Sequence, residues 1–299
     1  MKFRNNNFNL SGEIVDFNVK DPITLEVKQF YEKYPFPNYK INDNKQTILE
    51  EGNKNSFSKE LKNFIGFNKS VLEVGAGTSQ LSNYLAIGTN NQICAFDSSL
   101  KSLKIGNDFA KKNNVQNISF VRGDIFDEVF ENETFDFVLC NGVLHHTKNP
   151  YKAFSNIVGY LKKDGYILVG LYNRIGRFRT RFRKNIHKIF GKNLIMLLDP
   201  VLRKIEKESK DKIEAWIRDQ YEHPVESLHT FDEVLDWFDQ NNIQFVNSIP
   251  ECSLSDAEKS FFENNTKGTY LERFFQQLSM IFNKSGSEGG LFIFIGKKR

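Results

Sequence analysis

The sequence contains few cysteines and no long apolar run. Its three cysteines, Cys94, Cys140 and Cys252, are scattered and form no CxxC pair, which excludes a disulfide scaffold and a zinc ribbon. No stretch of about 18 apolar residues occurs, so no transmembrane helix is predicted. The N-terminal residues lack the apolar segment of a secretory signal. These absences predict a cytoplasmic protein in a reducing compartment.

The composition is that of an ordinary globular protein. Hydrophobic residues make up 39% and charged residues 26% of the chain, which excludes a disordered or collagen-like protein. The net charge of +4 is too small to identify a partner by itself. A length of 299 residues favours one large domain with insertions or a cap.

Short apolar runs alternate with helical patterns along the middle of the chain, which is typical of an α/β fold with a parallel sheet. The predicted strands are residues 70–74, 92–96, 118–121, 135–140 and 166–171. The alternation resumes with a helix at 230–240 and a strand at 244–249, and the LFIFI run at 291–295 closes the chain as a buried strand.

The interruptions in this pattern predict the domain organisation. Residues 1–56 precede the first α/β unit and are predicted to form an N-terminal arm or lid. Residues 57–299 form the main domain. Its two insertions are predicted at about 173–228, which is basic and helical, and at 251–288.

The first predicted strand ends in an acid followed by a glycine-rich loop. In an open α/β sheet, ligands bind at the carboxyl ends of the strands. Glu73 is followed by Gly75, Ala76 and Gly77, and the glycines let a ligand approach the backbone closely. A dinucleotide fingerprint requires a third glycine where this chain has Gln80, and Glu73 would repel a pyrophosphate. The loop therefore favours a ligand that carries an ammonium or sulfonium group.

The next three strand ends also carry polar groups. Asp97, beside Ser98, can accept the hydroxyls of a ribose. Asp124 can accept an adenine amine while Ile125 packs on the ring, and Asn141 opens a polar loop. Each carboxylate alone is as well explained by a helix cap or a solvated turn, but the ordered set favours a binding site.

The segments VLEVGAGTSQLS, AFDSSLKSL, VRGDIFD and FDFVLCNGVLHHTKNP resemble the successive motifs of class I S-adenosylmethionine-dependent methyltransferases. The resemblance covers about residues 70–172 and is strongest to the small-molecule branch that includes the ubiquinone and menaquinone methyltransferases. One departure is Ser79, where many members have glycine.

The resemblance implies a Rossmann-like sheet of seven strands with helices on both faces. The last strand is antiparallel and lies between the fifth and the sixth. S-adenosylmethionine is the implied cofactor. Its methionine part is then bound by Glu73, Gly75 and Gly77. Asp97 then binds the ribose, and Asp124 and Ile125 bind the adenine. Asn141 then borders the site of methyl transfer.

The adjacent His145 and His146 are the candidates for a catalytic base. Methyl transfer depends mainly on positioning, and a base is needed only for an acceptor that carries a proton. Two neighbouring side chains on a turn do not easily face the same site, so one is expected to be structural. The sequence leaves the choice open.

The aromatic stretch at 29–39 suggests a lid. The high aromatic content of this stretch has two explanations. The stretch either packs on the core or closes over the cofactor, with a tyrosine facing the sulfonium. Tyr31 is the candidate that contacts the reacting groups, and Tyr34 and Tyr39 are candidate substrate contacts.

A second polar cluster precedes the predicted helix at 230–240. Tyr221, His223 and His229 are candidate substrate contacts. Their spacing matches no zinc motif, so no metal site is predicted. Thr230 and Glu233 together predict a capping box, which explains part of the cluster without function.

The insertion at 173–228 begins with a basic run that includes Arg174, and it has no acid between Asp164 and Asp199. It predicts a pair of amphipathic basic helices. These can be a solvated face, or can bind an anionic substrate, an RNA backbone or a membrane surface. They can also mediate homo-oligomer contacts.

We expect a small, anionic organic acceptor. An arm and an insertion above the strand ends would cover the binding pocket, which favours a small molecule, and the basic run would attract an anion. A tRNA methyltransferase and a non-catalytic S-adenosylmethionine-binding protein are the alternatives. Nucleic acid is the less favoured partner, because no recognisable RNA-binding module is present.

Overall fold

A twisted sheet of nine strands forms the centre of the described part of the chain. The structure is a computed structural model that describes residues 2–4, 7–19, 21–33, 35–37, 39–205, 210–223, 225–254, 260–282 and 290–299. The strands are β1 (Asn9–Ser11), β2 (Ile14–Asp16), β3 (Ser70–Val74), β4 (Gln92–Asp97), β5 (Ile118–Arg122), β6 (Phe135–Asn141), β7 (Leu161–Tyr172), β8 (Ile243–Ile249) and β9 (Leu291–Lys298).

The order of the strands is β1-β2-β5-β4-β3-β6-β7-β9-β8. Strands β3 to β7 are parallel to their neighbours within that group, whereas β9 runs antiparallel to both β7 and β8. This confirms the predicted α/β class and the antiparallel last strand between the fifth and the sixth predicted strands. The carboxyl ends of β3, β4, β5 and β6 consequently lie along one edge.

The predicted count of seven strands is too low, because the N-terminal residues add the hairpin β1–β2. Strand β2 pairs in parallel with β5 through Val15 and Asp16. The turn of the hairpin includes Gly12 at φ +69°. Each of these strands has only three residues, which is too short for an alternating pattern to be recognised.

Helices cover both faces of the sheet. Alternate residues of β9 enter two buried clusters, Phe292 and Phe294 on one face and Ile293 and Ile295 on the other. The helices are α1 (Pro22–Lys33), α2 (Lys45–Lys54), α3 (Ser56–Ile65), α4 (Gln80–Ala86), α5 (Leu100–Lys112), α6 (Pro150–Gly159), α7 (Phe178–Phe190), α8 (Lys192–Leu198), α9 (Pro200–Ile205), α10 (Lys210–Ile217), α11 (Phe231–Gln240) and α12 (Tyr270–Ser279).

The segment between β7 and α11 contains helices α7 to α10 and a π-helical turn, Arg218–Glu222. These helices share a small apolar core of their own, formed by Ile195, Leu202, Ile213, Ile217 and Tyr221. The core explains why this basic segment folds, since apolar residues of its helices are buried against one another.

A buried ion pair attaches the N-terminal hairpin to the sheet edge. Arg122 Nη1 donates to both carboxylate oxygens of Asp16 at 3.0 and 2.8 Å. Arg122 Nε also donates to the carbonyl oxygen of Ser98 at 3.2 Å. Both charged residues are buried, so the pair links the hairpin to the loop that follows β4.

We predict that Arg122→Ala lowers the free energy of unfolding by about 3–5 kcal/mol, because the buried Asp16 carboxylate loses its partner. The matched control is Arg4→Ala, which removes an exposed ion pair to Glu128 and should cost less than about 1 kcal/mol. Denaturant unfolding followed by circular dichroism measures both, and equal losses would contradict the role given to the buried pair.

Candidate functional site

A cavity of about 430 Å³ lies at the carboxyl ends of the parallel strands. Its wall comes from the loops after β3, β4, β5 and β6, from the arm and from the insertion. Ten of the residues singled out in the sequence line it: Tyr31, Glu73, Gly75, Ala76, Gly77, Asp97, Ser98, Ile125, Asn141 and His146.

The loop after β3 is held in a conformation that requires glycine. Gly75 and Gly77 have φ values of +70° and +52°, which strain other residues. A Cβ atom on Gly75 would lie 2.2 Å from Val143 Cγ2, and one on Gly77 would lie 2.4 Å from the carbonyl oxygen of Phe36. The two glycines therefore let the loop after β6 and the arm pack directly on this backbone.

Ser79 shares the left-handed conformation, with φ +60°, and its buried hydroxyl has no hydrogen-bond partner among the described residues. This geometry gives a physical reason for the glycine found at this point in many members of the resembled family.

Two carboxylates lie on the wall of the cavity, and burial raises the pKa of both. Asp97 accepts hydrogen bonds from the backbone N–H groups of Gly77 and Ser99, each at 2.8 Å, while burial raises its pKa. Glu73 accepts a hydrogen bond from the Ser82 hydroxyl. Burial raises the pKa of Glu73 to about 7, and the nearby Asp97 adds to the shift. This half of the cavity is suited to a cation.

Asp124 lies just outside the lining, although its neighbours Gly123 and Ile125 form part of it. Its Oδ1 accepts from the Phe126 N–H at 3.0 Å. The buried Oδ2 has no hydrogen-bond partner among the described residues. A buried acceptor without a donor costs free energy, so the position fits the exocyclic amine of an adenine.

The two adjacent histidines have different positions. His146 lines the cavity, and its Nδ1 donates to the Val225 carbonyl oxygen at 2.6 Å, which leaves Nε2 unprotonated. Burial, with Arg177 and Lys184 nearby, lowers the pKa of His146 to about 3. His145 is fully buried outside the lining, and burial likewise keeps its pKa well below the usual value.

The other candidate substrate contacts that the structure describes lie outside the lining. Tyr39 bonds to Asn83 at 3.1 Å and stacks on Phe109, and Tyr34 falls outside the described residues. The remaining four are Tyr221, which donates to Asp199; His223, which stacks on His146; His229, which lies between Ser227 and Glu233; and Arg174, which bonds to the Leu228 carbonyl.

The structure adds a buried network that the sequence did not indicate. Arg177 is fully buried and bonds to Glu226 at 3.1 and 2.8 Å. It also donates to Gln220 Oε1 at 2.9 Å, and Gln220 Nε2 donates to the Tyr172 hydroxyl at 3.0 Å. Tyr172, Gln220 and the nearby Trp216 line the cavity. Arg177 belongs to a run of basic residues, most of which are exposed. The local sequence does not show which member of the run is buried.

Within the described ranges, no group of three or more His, Cys, Asp or Glu side chains is arranged to hold a metal ion. None of the helices that the structure describes is long and apolar enough to span a bilayer.

We predict that Gly77→Ala weakens S-adenosylhomocysteine binding at least about tenfold, because the new methyl group pushes against the Phe36 backbone as well as straining φ. Gly142→Ala is the matched control, since Gly142 also lines the cavity at φ +77° but has no atom within 4 Å of an added Cβ. Calorimetry measures both affinities. An equal loss in the two variants would mean that the close approach of the arm is unimportant.

Known proteins resemble the chain along most of its length. A protein of unassigned function from Synechococcus is 23% identical over 251 residues, which is 76% of this chain and 60% of that protein. The ubiquinone biosynthesis O-methyltransferase of Rickettsia felis is 27% identical over 35% of this chain and 41% of the enzyme. The chain thus spans less than two thirds of the length of these relatives.

A solved structure has a similar fold. Geranyl diphosphate C-methyltransferase from Streptomyces coelicolor superposes with a TM-score of 0.53 over 94% of this chain and all of that chain, at 11% identity. In sequence, residues 66–248 match the family described as "Methyltransferase domain", which is more than half of the 299 residues. The chain therefore belongs to the methyltransferase-domain family, which confirms its resemblance to the class I S-adenosylmethionine-dependent methyltransferases.

Proposed function

We propose that this protein transfers a methyl group from S-adenosylmethionine to a small, anionic organic acceptor by in-line displacement in a roofed cavity. The observation that carries the proposal is the separation of two groups of lining residues. Glu73 and Asp97 lie on the adjacent strands β3 and β4, whereas Tyr172, with His146 beside it, ends β7 on the far side of β6. Family membership supports the cofactor and the reaction class.

The acidic half fits the cofactor. The ribose hydroxyls would bind Asp97, the adenine would lie between Ile125 and the unpaired oxygen of Asp124, and the cationic methionine end would lie beside Glu73. When bound, S-adenosylmethionine supplies an electrophilic methyl group on a positively charged sulfur. The chain's own contribution is to hold the two reactants in line, which in favourable cases accounts for about 7–11 kcal/mol of the barrier.

Arg177 and Lys184 outnumber the one described carboxylate beside them, Glu226, and the net positive charge behind the other wall supports an anionic acceptor. Arg177 and Lys184 both disfavour the protonated form of His146. Cations that destabilise an imidazolium stabilise an ionised acceptor at the same place. With a pKa of about 3, His146 is a weak base, so the geometry favours an acceptor that arrives already ionised. In that case, His146 and Tyr172 border the acceptor, and His146 does not take its proton.

The arm and the insertion restrict the size of the acceptor. Tyr31, Phe36 and Pro37 approach from the arm, and Trp216 and Gln220 approach from the insertion. These side chains lie over the strand ends and narrow the cavity, which reduces the access of water to the reacting groups. A covered cavity of this kind favours a small molecule over a nucleic acid.

The cysteines suggest where the reaction takes place. Cys94, Cys140 and Cys252 are free thiols buried in the described structure, and reduced thiols persist in a reducing compartment. They support our proposal of a cytoplasmic protein.

The function is tested by incubating the protein with methyl-labelled S-adenosylmethionine and with separated small-molecule and RNA fractions of a cell extract. We expect label in the small-molecule fraction, retained on an anion-exchange resin, and none with Asp97→Ala, whose lost ribose bonds cost roughly 1–3 kcal/mol each. Label in the RNA would identify a nucleic-acid methyltransferase. Cofactor binding without any labelled product would identify a non-catalytic binding protein.

We predict that the affinity for S-adenosylmethionine increases as the pH rises through about 7. The pKa of Glu73 in the free protein is about 7, and a cation beside it favours the ionised form, so binding below pH 7 must release a proton. A full linkage of one proton weakens binding about tenfold for each pH unit below the pKa.

Calorimetry at pH 6, 7 and 8, in two buffers of different ionisation enthalpy, measures both the affinity and the proton release. Glu73→Gln is the control, because the amide keeps the shape of the side chain and cannot titrate. A pH dependence that persists unchanged in Glu73→Gln would assign the titration to another group.

A further inference from the structure

Helix α7 exposes an apolar stripe to solvent. Phe178, Phe182 and Ile189 are spaced by four and seven residues, which places them on one face of a helix. Their exposed fractions are 63%, 62% and 74%. Most of the exposed large apolar residues of the described chain lie between 178 and 282, and a concentration of this kind marks a contact surface.

Cations flank this stripe. Arg179, Arg181 and Lys188 are exposed on α7, and none of them forms a salt bridge with a described residue. The sequence has no acid from 165 to 198 that could neutralise them. An apolar ridge between flanking cations is the arrangement of helices that lie in the headgroup region of a bilayer.

Further exposed apolar residues lie on α12 and on the turn that follows it. Arg179 Nη1 donates to the carbonyl oxygen of Ile281 at 3.2 Å, which joins the start of α7 to the turn after α12. Phe282, in this turn, is 72% exposed. On α12 itself, the residues Leu271, Phe274 and Phe275 are exposed at helical spacing. We call the two helices and this turn the α7–α12 face.

We propose that the α7–α12 face binds the surface of an anionic lipid bilayer. The apolar side chains would enter the boundary between headgroups and acyl chains, and the cations would contact lipid phosphates. Helix α7 belongs to the same insertion as Trp216 and Gln220, which line the cavity, and His187 on α7 bonds to Glu222 of the π-helical turn that carries Gln220. Membrane binding would thus place the part of the cavity wall that carries Trp216 and Gln220 next to the bilayer.

Charge favours a bilayer over a second copy of the chain. A twofold contact through this face would oppose the same cationic stripe to itself, which is repulsive unless acids intervene, and α7 carries none. RNA is an outcome that the experiment must separate, because the phenylalanine rings of the face can also stack on bases.

Co-sedimentation of the full chain with vesicles tests this proposal. We expect binding to vesicles with about one third phosphatidylglycerol, weak binding to pure phosphatidylcholine, and a loss when salt is raised from about 0.1 to 0.5 M. Phe182→Ser should reduce binding at least about tenfold. Phe67→Ser is the matched control, since Phe67 is also 62% exposed but lies outside the face, and its binding should equal that of the unmodified protein.

The charge contribution has its own control. Arg181→Glu with Lys188→Glu should reduce binding about tenfold or more, whereas Lys101→Glu with Lys104→Glu on α5 gives the same net charge and should have little effect. Calorimetric binding of S-adenosylhomocysteine, unchanged in all variants, shows that they are folded.

Three results would overturn the proposal. The first is that the unmodified protein fails to bind anionic vesicles. The second is that each control variant loses as much vesicle binding as the variant of the face with which it is paired. The third is that Phe182→Ser converts a dimer to a monomer in sedimentation, or abolishes retention of RNA, without affecting vesicle binding.

Discussion

The cavity depends on the close approach of two backbones, that of the loop after β3 and that of the arm. The Thr78 N–H and hydroxyl donate to the carbonyl oxygens of Phe36 and Pro37, and the absence of a side chain at Gly77 leaves room for this contact. The Gly77 N–H in turn donates to Asp97. One short loop therefore contacts both the Phe36–Pro37 part of the arm and the acid proposed to bind the ribose.

The charges around the cavity are separated in a way that suits the proposed reaction. Glu73 and Asp97 face the half proposed for the cationic cofactor, and burial raises the pKa of both. Arg177 and Lys184 lie behind His146 at the other wall, and together with burial they hold its pKa down. Methyl transfer neutralises the charge on the sulfur. Opposite charges at the two ends of the cavity would therefore favour the binding of a cationic donor beside an anionic acceptor, whereas the transfer itself depends on positioning.

The sequence was sufficient to predict the parallel strands and the residues after them that line the cavity, because these signals are local. An acid or a glycine directly after a buried strand lies at a known edge of a parallel sheet. The hairpin β1–β2 has no comparable signal, since its strands are three residues long. Arg177, rather than Arg174, is buried because its side chain pairs with Glu226. This partner lies 49 residues further along the chain. Likewise, the contact between His146 and Val225 joins residues 79 positions apart, and no local pattern distinguishes His146 from His145.

A crystal structure with S-adenosylhomocysteine tests the central claim, that these strand ends form a cofactor site facing an acceptor half. The account predicts the ribose hydroxyls within hydrogen-bond distance of Asp97 and the adenine amine within that distance of Asp124 Oδ2. It also predicts the sulfur directed into the space between Tyr31, His146 and Tyr172. A ligand that occupies the half beside His146 with its adenine, or that leaves Asp97 without a contact, would contradict it.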